Sequence, residues 1–355
     1  MKKNSLADFR ESLRFEYWPV WLVYLPSLFF WAWFAMKSRA LLYMTAANPG
    51  IEMGGFFGES KKDILDKVPD QYKPKTWLFE DPIHHLASFV RDHNLTFPLI
   101  LKPNVGERGS GVEKVNSLPE LQQFIQNKEE AYLLQECSSY PQEYGILFCQ
   151  YPGEKTGRVL SITGKRFMEL HGDGHSTLRE LMQKNYRFRK QIDRLESRID
   201  LDLVPTAGQS ILAEPIGNHS RGTEFTNENH LISEAVNQLF SSISLQMDGF
   251  YYGRFDIKVK SEKDLETGEN LHILEVNGTT SEAGHIYSRN YGIYNAYRDI
   301  FQGMKMVQEL GTINHKNGVA YTSMSTFIRT LRKHFFQVKS PKHLPANVIP
   351  DSVFT

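Results

Sequence analysis

Two short runs, "GRFDIKV" (253–259) and "HILEVNG" (272–278), place charged and amide side chains inside otherwise apolar stretches. Successive side chains of a strand point to opposite faces. Arg254, Asp256 and Lys258 therefore share one face of the first run, Glu275 and Asn277 share one face of the second, and Leu274 and Val276 turn the other way. The segment between them, "SEKDLETGEN" (261–270), is polar and holds Gly268, so the runs pair as an antiparallel hairpin. Pairing gathers an aspartate, a glutamate and an amide oxygen around one point. An all-oxygen donor set suits Mg²⁺, which takes one or two carboxylates and completes its shell with phosphate oxygens and water. Arg254 on the same face can clamp a phosphoryl group in transfer. A solvated, salt-bridged sheet face accounts for the same residues, and the hairpin alone does not separate the two.

Upstream, "LILKPNVGERGSGVEKV" (99–115) ends an apolar strand on Lys102 and then sets Gly106, Gly109 and Gly111 around Ser110. Glycines let a backbone fold closely around phosphate oxygens and aim N–H groups at them, and the lysine adds positive charge there. No Gly-Lys-Ser/Thr closes the loop, and a strand follows it instead of a helix, so it is not a P-loop. The layout is a flap over phosphates or a plain surface hairpin.

These groups must be positioned by elements that the chain spells out in order. Strands are expected at 40–50, 74–79, 97–103, 112–115, 131–137, 143–153 and 158–163. Helices are expected after Ser60, over 81–93 (Asp81 as cap, Pro82 at the first position), after Ser117, over 230–243 and over 291–310, with one or two highly charged helices following the turn that opens 172–203. With 355 residues and equal numbers of basic and acidic side chains (41 each), the chain reads as a folded α+β protein whose net charge gives no case for nucleic acid as a partner. Cys137 and Cys149 make neither a disulfide framework nor a zinc spacing.

The N-terminus is unusual. Residues 18–36, "WPVWLVYLPSLFFWAWFAM", carry no charge and hold four of the five tryptophans. A single membrane span and a Pro-kinked shallow insertion both fit, and membrane contact is expected. The tail 321–343 carries basic and aromatic residues with no acid, a composition suited to an anionic lipid surface.

The ordered set of Lys102, the glycine loop, Glu136 and Glu143 seven residues apart, "RFD" and "LEVNG" resembles the ATP-grasp superfamily, in particular its D-alanine–D-alanine ligase and cyanophycin-synthetase branches, over roughly residues 60–290. The resemblance implies an ATP-grasp fold, two α+β subdomains clamping ATP. Taken with the composition of the two ends, it divides the chain into a membrane-associating segment 1–39, a truncated pre-grasp domain 40–75, the grasp itself over 76–310 and a basic tail 311–355. Lys102 and either Lys61 or Lys62 would hold the ATP phosphates under a flap of Gly106, Gly109, Ser110 and Gly111. Glu136, Cys137 and Ser139 would line the adenine hinge, and Glu143 would bind the ribose. Asp256, Glu275 and Asn277 would ligate two Mg²⁺ ions, with Glu275 bridging. Arg254, and Arg221 in "GNHSRGTEF" (217–225), would act on the transferred phosphoryl group or the substrate, with Ser281, Glu282 and His285 on the acceptor side.

The implied activity is ATP-dependent joining of a carboxylate to an amine through an acyl phosphate, at the cytoplasmic face of the membrane, on a lipid-linked or envelope-related substrate; a homodimer is allowed. A kinase on the same nucleotide site and a non-catalytic membrane adaptor are the alternatives. Two departures bear on substrate: only about 35 residues stand where the family has a pre-grasp domain of roughly 80–100 residues, and "GTTSEAGH" replaces the Pro-Gly turn that follows Glu-x-Asn in the D-alanine ligases.

Overall fold

The computed structural model describes residues 5–106, 111–126 and 130–336 of the chain. Two antiparallel sheets dominate. The smaller one has the order β1-β4-β2-β3, built from β1 (Thr76–Phe79), β2 (Leu99–Pro103), β3 (Glu113–Val115) and β4 (Tyr132–Glu136). The larger one runs β11-β10-β5-β6-β9, from β5 (Gln142–Cys149), β6 (Arg158–Arg166), β9 (Glu224–Asn227), β10 (Tyr252–Val259) and β11 (Leu271–Asn277). A third, minor pair joins β7 (Met168–His171) to β8 (Ser210–Glu214). The mixed helix-and-sheet class expected of the chain is present, with two principal sheets that each carry a core.

Side-chain alternation along β10 divides the large sheet into two uses. Phe255, Ile257 and Val259 are fully buried and face a core shared with Ile146, Phe148 and the helix Glu234–Gln246, which brings Val236, Phe240 and Ile243. Truncating one of these, Ile257 to alanine for instance, would cost about 2–5 kcal/mol. The other face carries Tyr252, Arg254, Asp256 and Lys258. Its apolar end, Tyr252 with Leu147 and Cys149, is covered by the helices Ile293–Lys316 and Ser27–Ser38. Its polar end is left for the site. The small sheet has its own core of Leu99, Leu101, Leu134, Leu121 and Leu86, packed with helices Leu86–Asp92 and Leu118–Ile125.

Local signals place most elements. The Ser60 side chain accepts from Asp63 N and starts helix Lys61–Asp66; Ser117 and Ser233 cap their helices in the same way. Three readings of the sequence need correction. Residues 40–50 form no strand: Tyr43–Ala46 is a 3₁₀ turn. The buried Asn48 amide substitutes for a neighbouring strand by bonding the backbone of Tyr251 and Tyr252. The helix expected over 81–93 is regular only from Leu86, after a 3₁₀ turn Ile83–His85, and Asp81 does not cap it. The charged stretch after Thr177 breaks into three short helices, Leu178–Gln183, Tyr186–Arg189 and Ile192–Leu195.

The N-terminal expectation also changes. Among the described residues no helix is long and apolar enough to cross a membrane. Pro26 splits the uncharged run into Val20–Tyr24 and Ser27–Ser38, each shorter than the about 20 residues that a span needs. Its inner side packs: Phe34 is 2% exposed, and Phe30 and Phe34 meet the Phe301 ring at 5.0 and 5.4 Å. Its outer side does not. Trp21, Phe29, Trp33 and Met36 are 68%, 79%, 60% and 68% exposed. The basic tail forms a helix, Met324–Phe336, and its remainder lies outside the described residues.

Candidate nucleotide and metal site

Antiparallel register sets four residues in one transverse row: Glu275 opposite Asp256, Asp256 opposite Gly145, and Gly145 opposite Thr163. Directly opposed residues project from the same face. Two like charges so placed repel unless cations compensate, and four do. Arg254 reaches Asp256 at 3.0 Å, and Lys165 sits between Asp256 Oδ1 (3.0 Å) and Glu143 Oε1 (2.8 Å). Lys61 Nζ meets Glu275 Oε1 at 2.6 Å. Lys102 arrives from the small sheet and donates to Gln135 Oε1 (3.1 Å) and to the Leu274 carbonyl (2.9 Å).

That carbonyl is available because of an irregularity. Asp256 pairs with Glu275 but the next residue, Ile257, pairs with Ile273, so Leu274 bulges out of the ladder. A bulge frees backbone groups and re-aims side chains. The sequence reading set Leu274 with Val276 on the buried side; in the structure Ile273 and Val276 are buried and Leu274 is not. The bulge thus gives Lys102 an anchor on the opposite sheet.

Gly145 makes the row compact. A Cβ there would stand 3.2 Å from Arg254 Cδ and 3.4 Å from Asp256 Oδ1, so the glycine leaves the notch across which Arg254 lies. Gly217, in the loop 217–222, packs on Glu143 so closely that a side chain would meet Oε1 at 2.4 Å.

The charges respond to this packing. Burial, with Lys61 nearby, brings Lys102 down to about 8 despite the pull of Glu275 and Asp256. Burial alone would raise the Asp256 and Glu275 carboxyls. Arg254 and Lys165 outweigh it at Asp256, and Lys61 and Lys102 outweigh it at Glu275, so both acids titrate below their ordinary range. Burial would lower Lys165, but the charges of Asp256 and Glu143 raise it instead.

The donor set fits a divalent cation. Among the described residues no group of three His, Cys, Asp or Glu side chains gathers as a metal site. What gathers is two opposed carboxylates and the Asn277 amide, whose Nδ2 donates to Asp256 Oδ2 at 3.1 Å. Such a sparse, all-oxygen set is the kind Mg²⁺ shares with phosphate oxygens and water.

Other residues expected at the site fall as follows. Of the two lysine candidates, Lys61 reaches the floor, whereas Lys62 turns back to Asp66 on its own helix at 2.5 Å. Gly106 and Gly111 both close on Pro103, while Gly109 and Ser110 lie outside the described residues. Glu136, Cys137 and Ser139 sit at the exit of β4, beside His272, whose Nδ1 is 2.9 Å from Ser138 Oγ and whose ring lies against Tyr140. Glu143 belongs to the floor through Lys165. Arg221 stands apart from Arg254, 3.8 Å from both Glu113 and Glu214.

Lys165, Gln135, Gly145 and Gly217 were not anticipated. Lys165 had one usable signal: a charge in phase with Ser161 and Thr163 within an otherwise buried strand.

No protein-family model matches the chain, and no curated protein matches it. Solved structures do. The bifunctional glutathione synthetase from Pasteurella multocida is similar at 17% identity and a TM-score of 0.36, over 70% of this chain and 35% of that one. The VanG D-Ala:D-Ser ligase from Enterococcus faecalis is similar at 14% and 0.39, over 71% and 61%. D-alanine–D-alanine ligase from Bacillus anthracis is similar at 14% and 0.39, over 73% and 69%. The chain thus spans only 35% and 61% of the length of the first two. Overlap at this level carries no functional weight of its own, and the resemblance to ATP-grasp ligases rests on the ordered motifs and the two-sheet site they build.

Proposed function

We propose that this protein is an ATP-dependent ligase that activates a carboxylate as an acyl phosphate and joins it to an amine. The observation that carries the reading is the opposed Asp256–Glu275 pair ringed by Lys61, Lys102, Lys165 and Arg254 where the two sheets meet. Four cations surround the three floor carboxylates Glu143, Asp256 and Glu275, so positive charge is at hand for an anionic ligand.

In this reading a substrate carboxylate oxygen attacks the γ-phosphorus of ATP and ADP departs. Lys102 and Arg254 disperse the negative charge on the transferring group, which is most of what phosphoryl transfer asks of a protein. Asp256, Glu275 and the Asn277 amide are the residues that would hold Mg²⁺, which would supply positive charge to offset that of the phosphates. Arg254 is held in line by Asp256 and by the notch at Gly145. The acyl phosphate is captured by an amine, and phosphate is released.

Acting at the cytoplasmic face of a membrane, on a lipid-linked or envelope-related substrate, belongs to the same proposal. Its support is the apolar outer side of residues 20–36, with Lys37 and Arg39 at its end and exposed Ile328, Arg329 and Arg332 on the tail helix. Contact would be shallow, with tryptophans at the headgroup level. Phosphatidylglycerol vesicles should sediment the protein, phosphatidylcholine vesicles should do so less, and Trp21→Ser with Trp33→Ser should weaken binding about tenfold.

The catalytic reading is tested by ADP release and by hydroxamate formation when hydroxylamine replaces the amine. A stable phosphorylated product without hydroxamate would make the protein a kinase. Failure of Mg·ATP to raise the melting temperature would leave only an adaptor role.

A further inference from the structure

Glu282 lies just past the floor strand and is tied back to it. Arg254 Nη1 approaches the Glu282 carbonyl at 3.5 Å, and the Arg254 backbone N–H donates to Ser281 Oγ at 3.1 Å. The Arg254 guanidinium therefore stands between Asp256, on the metal side, and Glu282 on the other.

The carboxylate is held by two phenols. Tyr287 donates to Oε2 at 2.8 Å, and Tyr24 donates to the same oxygen. Burial, with the Glu282 charge beside it, pushes the Tyr24 hydroxyl well above the ordinary phenol range, so it stays a donor. Among the described residues Oε1 takes no protein hydrogen bond, and the residue is half-buried.

The neighbouring acids differ. Glu143, Asp256 and Glu275 each carry an ion pair at 3.0 Å or less, whereas Glu282 carries none among the described residues. In a site ringed by cations, it is the carboxylate left able to receive a cationic or N–H-bearing group.

Tyr24 belongs to the N-terminal segment. That segment is seated on the same loop: Phe15 and Val23 pack with Ile286 and Ala296, and Tyr297 donates its hydroxyl to the Val23 carbonyl at 3.0 Å.

We infer that Glu282 Oε1 binds the attacking amine and accepts its proton, and that Tyr24 and Tyr287 orient it, which makes the N-terminal segment one wall of the acceptor site. The inference rests on the ligase reading. The amine lone pair forms the C–N bond, and the bond from the acyl carbon to the phosphate oxygen breaks with its electron pair leaving on phosphate. The displaced N–H proton passes to Glu282 and on to that phosphate. Glu282 touches substrate; Tyr24 is a positioning residue.

The test compares two captors of the same acyl phosphate. Full-length protein is given Mg·ATP, a mixture of the common amino acids and dicarboxylic acids as donors, and either hydroxylamine or n-butylamine. Hydroxylamine is largely neutral at pH 7 and needs little help losing a proton; n-butylamine needs more. The ratio of amide to hydroxamate should fall about a hundredfold in Glu282→Gln, in the usual range for a lost general base. It should fall about fivefold in Tyr24→Phe, which keeps the ring, with the KM for Mg·ATP unmoved in that variant. An unchanged ratio in Glu282→Gln, with both products still formed, overturns the inference and leaves the ligase reading standing. Neither product from the wild-type protein overturns both.

Discussion

At the meeting of the two sheets, Asp256 and Glu275 stand side by side with cations around them. Beside β3 and β8, Arg194, Arg198 and Arg221 close on Glu113 and Glu214. Both clusters set several cations around acids, three lysines and one arginine in the first and three arginines in the second. They differ in how the acids are arranged. In the first, strand register forces two carboxylates together, and no single partner satisfies both. In the second, each acid has its own arginine: Arg198 grips Glu113 through two bonds of 2.7 and 2.8 Å, and Arg194 meets Glu214 at 2.5 Å. Bidentate pairs of that kind fix geometry. The second cluster staples the strand that follows the glycine loop to the β7–β8 lobe. In the first, the acids are closely paired but share their cations, with Lys165 spanning Asp256 and Glu143, so the row has the character of a site where the second has that of a staple.

The sharpest way to break this contrast is to remove an acid from the row. Asp256→Asn and Glu275→Gln should each lower ADP release about a thousandfold, a loss of ~4 kcal/mol of transition-state stabilisation. Intact turnover in either variant would sink the metal assignment. Lys165→Met leaves Glu143 and Asp256 without their shared cation. Losing one partner of a buried pair costs about 3–5 kcal/mol, so the melting temperature should drop, and MgCl₂ should recover part of the loss by replacing the missing charge. Thermal unfolding with and without the salt decides it; no recovery would mean that the row does not accept a divalent ion.

Gly145→Ala asks whether Arg254 must lie in its notch. The added methyl meets Arg254 Cδ at 3.2 Å. kcat should fall about tenfold, a shift of ~1.4 kcal/mol, with little change in the KM for Mg·ATP. Arg221→Met should do least: turnover within about threefold of wild type and stability down by about 1 kcal/mol, as for a charge-assisted contact with other partners nearby. A loss as large as that of Arg254→Met would erase the distinction between the two clusters and restore Arg221 to the catalytic set.

Much of the site was legible because it is local. Asp256, Glu275 and Asn277 share a hairpin, and alternation plus a polar turn is enough to put them on one face. Lys102, at the end of its apolar strand, was legible for the same reason. Lys165 and Gln135 were not. Each is an ordinary polar residue in a strand until sheet order places β6 beside β5 and β4 beside β2. Arg221 was assigned by motif likeness, and only the chain path through β8 shows that acids of two other elements engage it. The choice between Lys61 and Lys62 turned on one helical step of about 100°, which sends one lysine to Glu275 and the other to Asp66.

The uncharged N-terminal run shows where the division falls. By itself the sequence determined that residues 18–36 are apolar, tryptophan-rich and interrupted at Pro26, because composition and proline geometry act within the chain. Which of those side chains are buried was decided by the helix Ile293–Lys316, which covers Phe30 and Phe34 and leaves Trp21 and Phe29 outside. Tertiary structure likewise decided that Tyr24 meets Glu282, 258 residues away in sequence. Alternation, capping and turn chemistry act over a few residues, so they fix what each strand can offer. Sheet order and helix packing join distant segments, so they alone determine which offers meet.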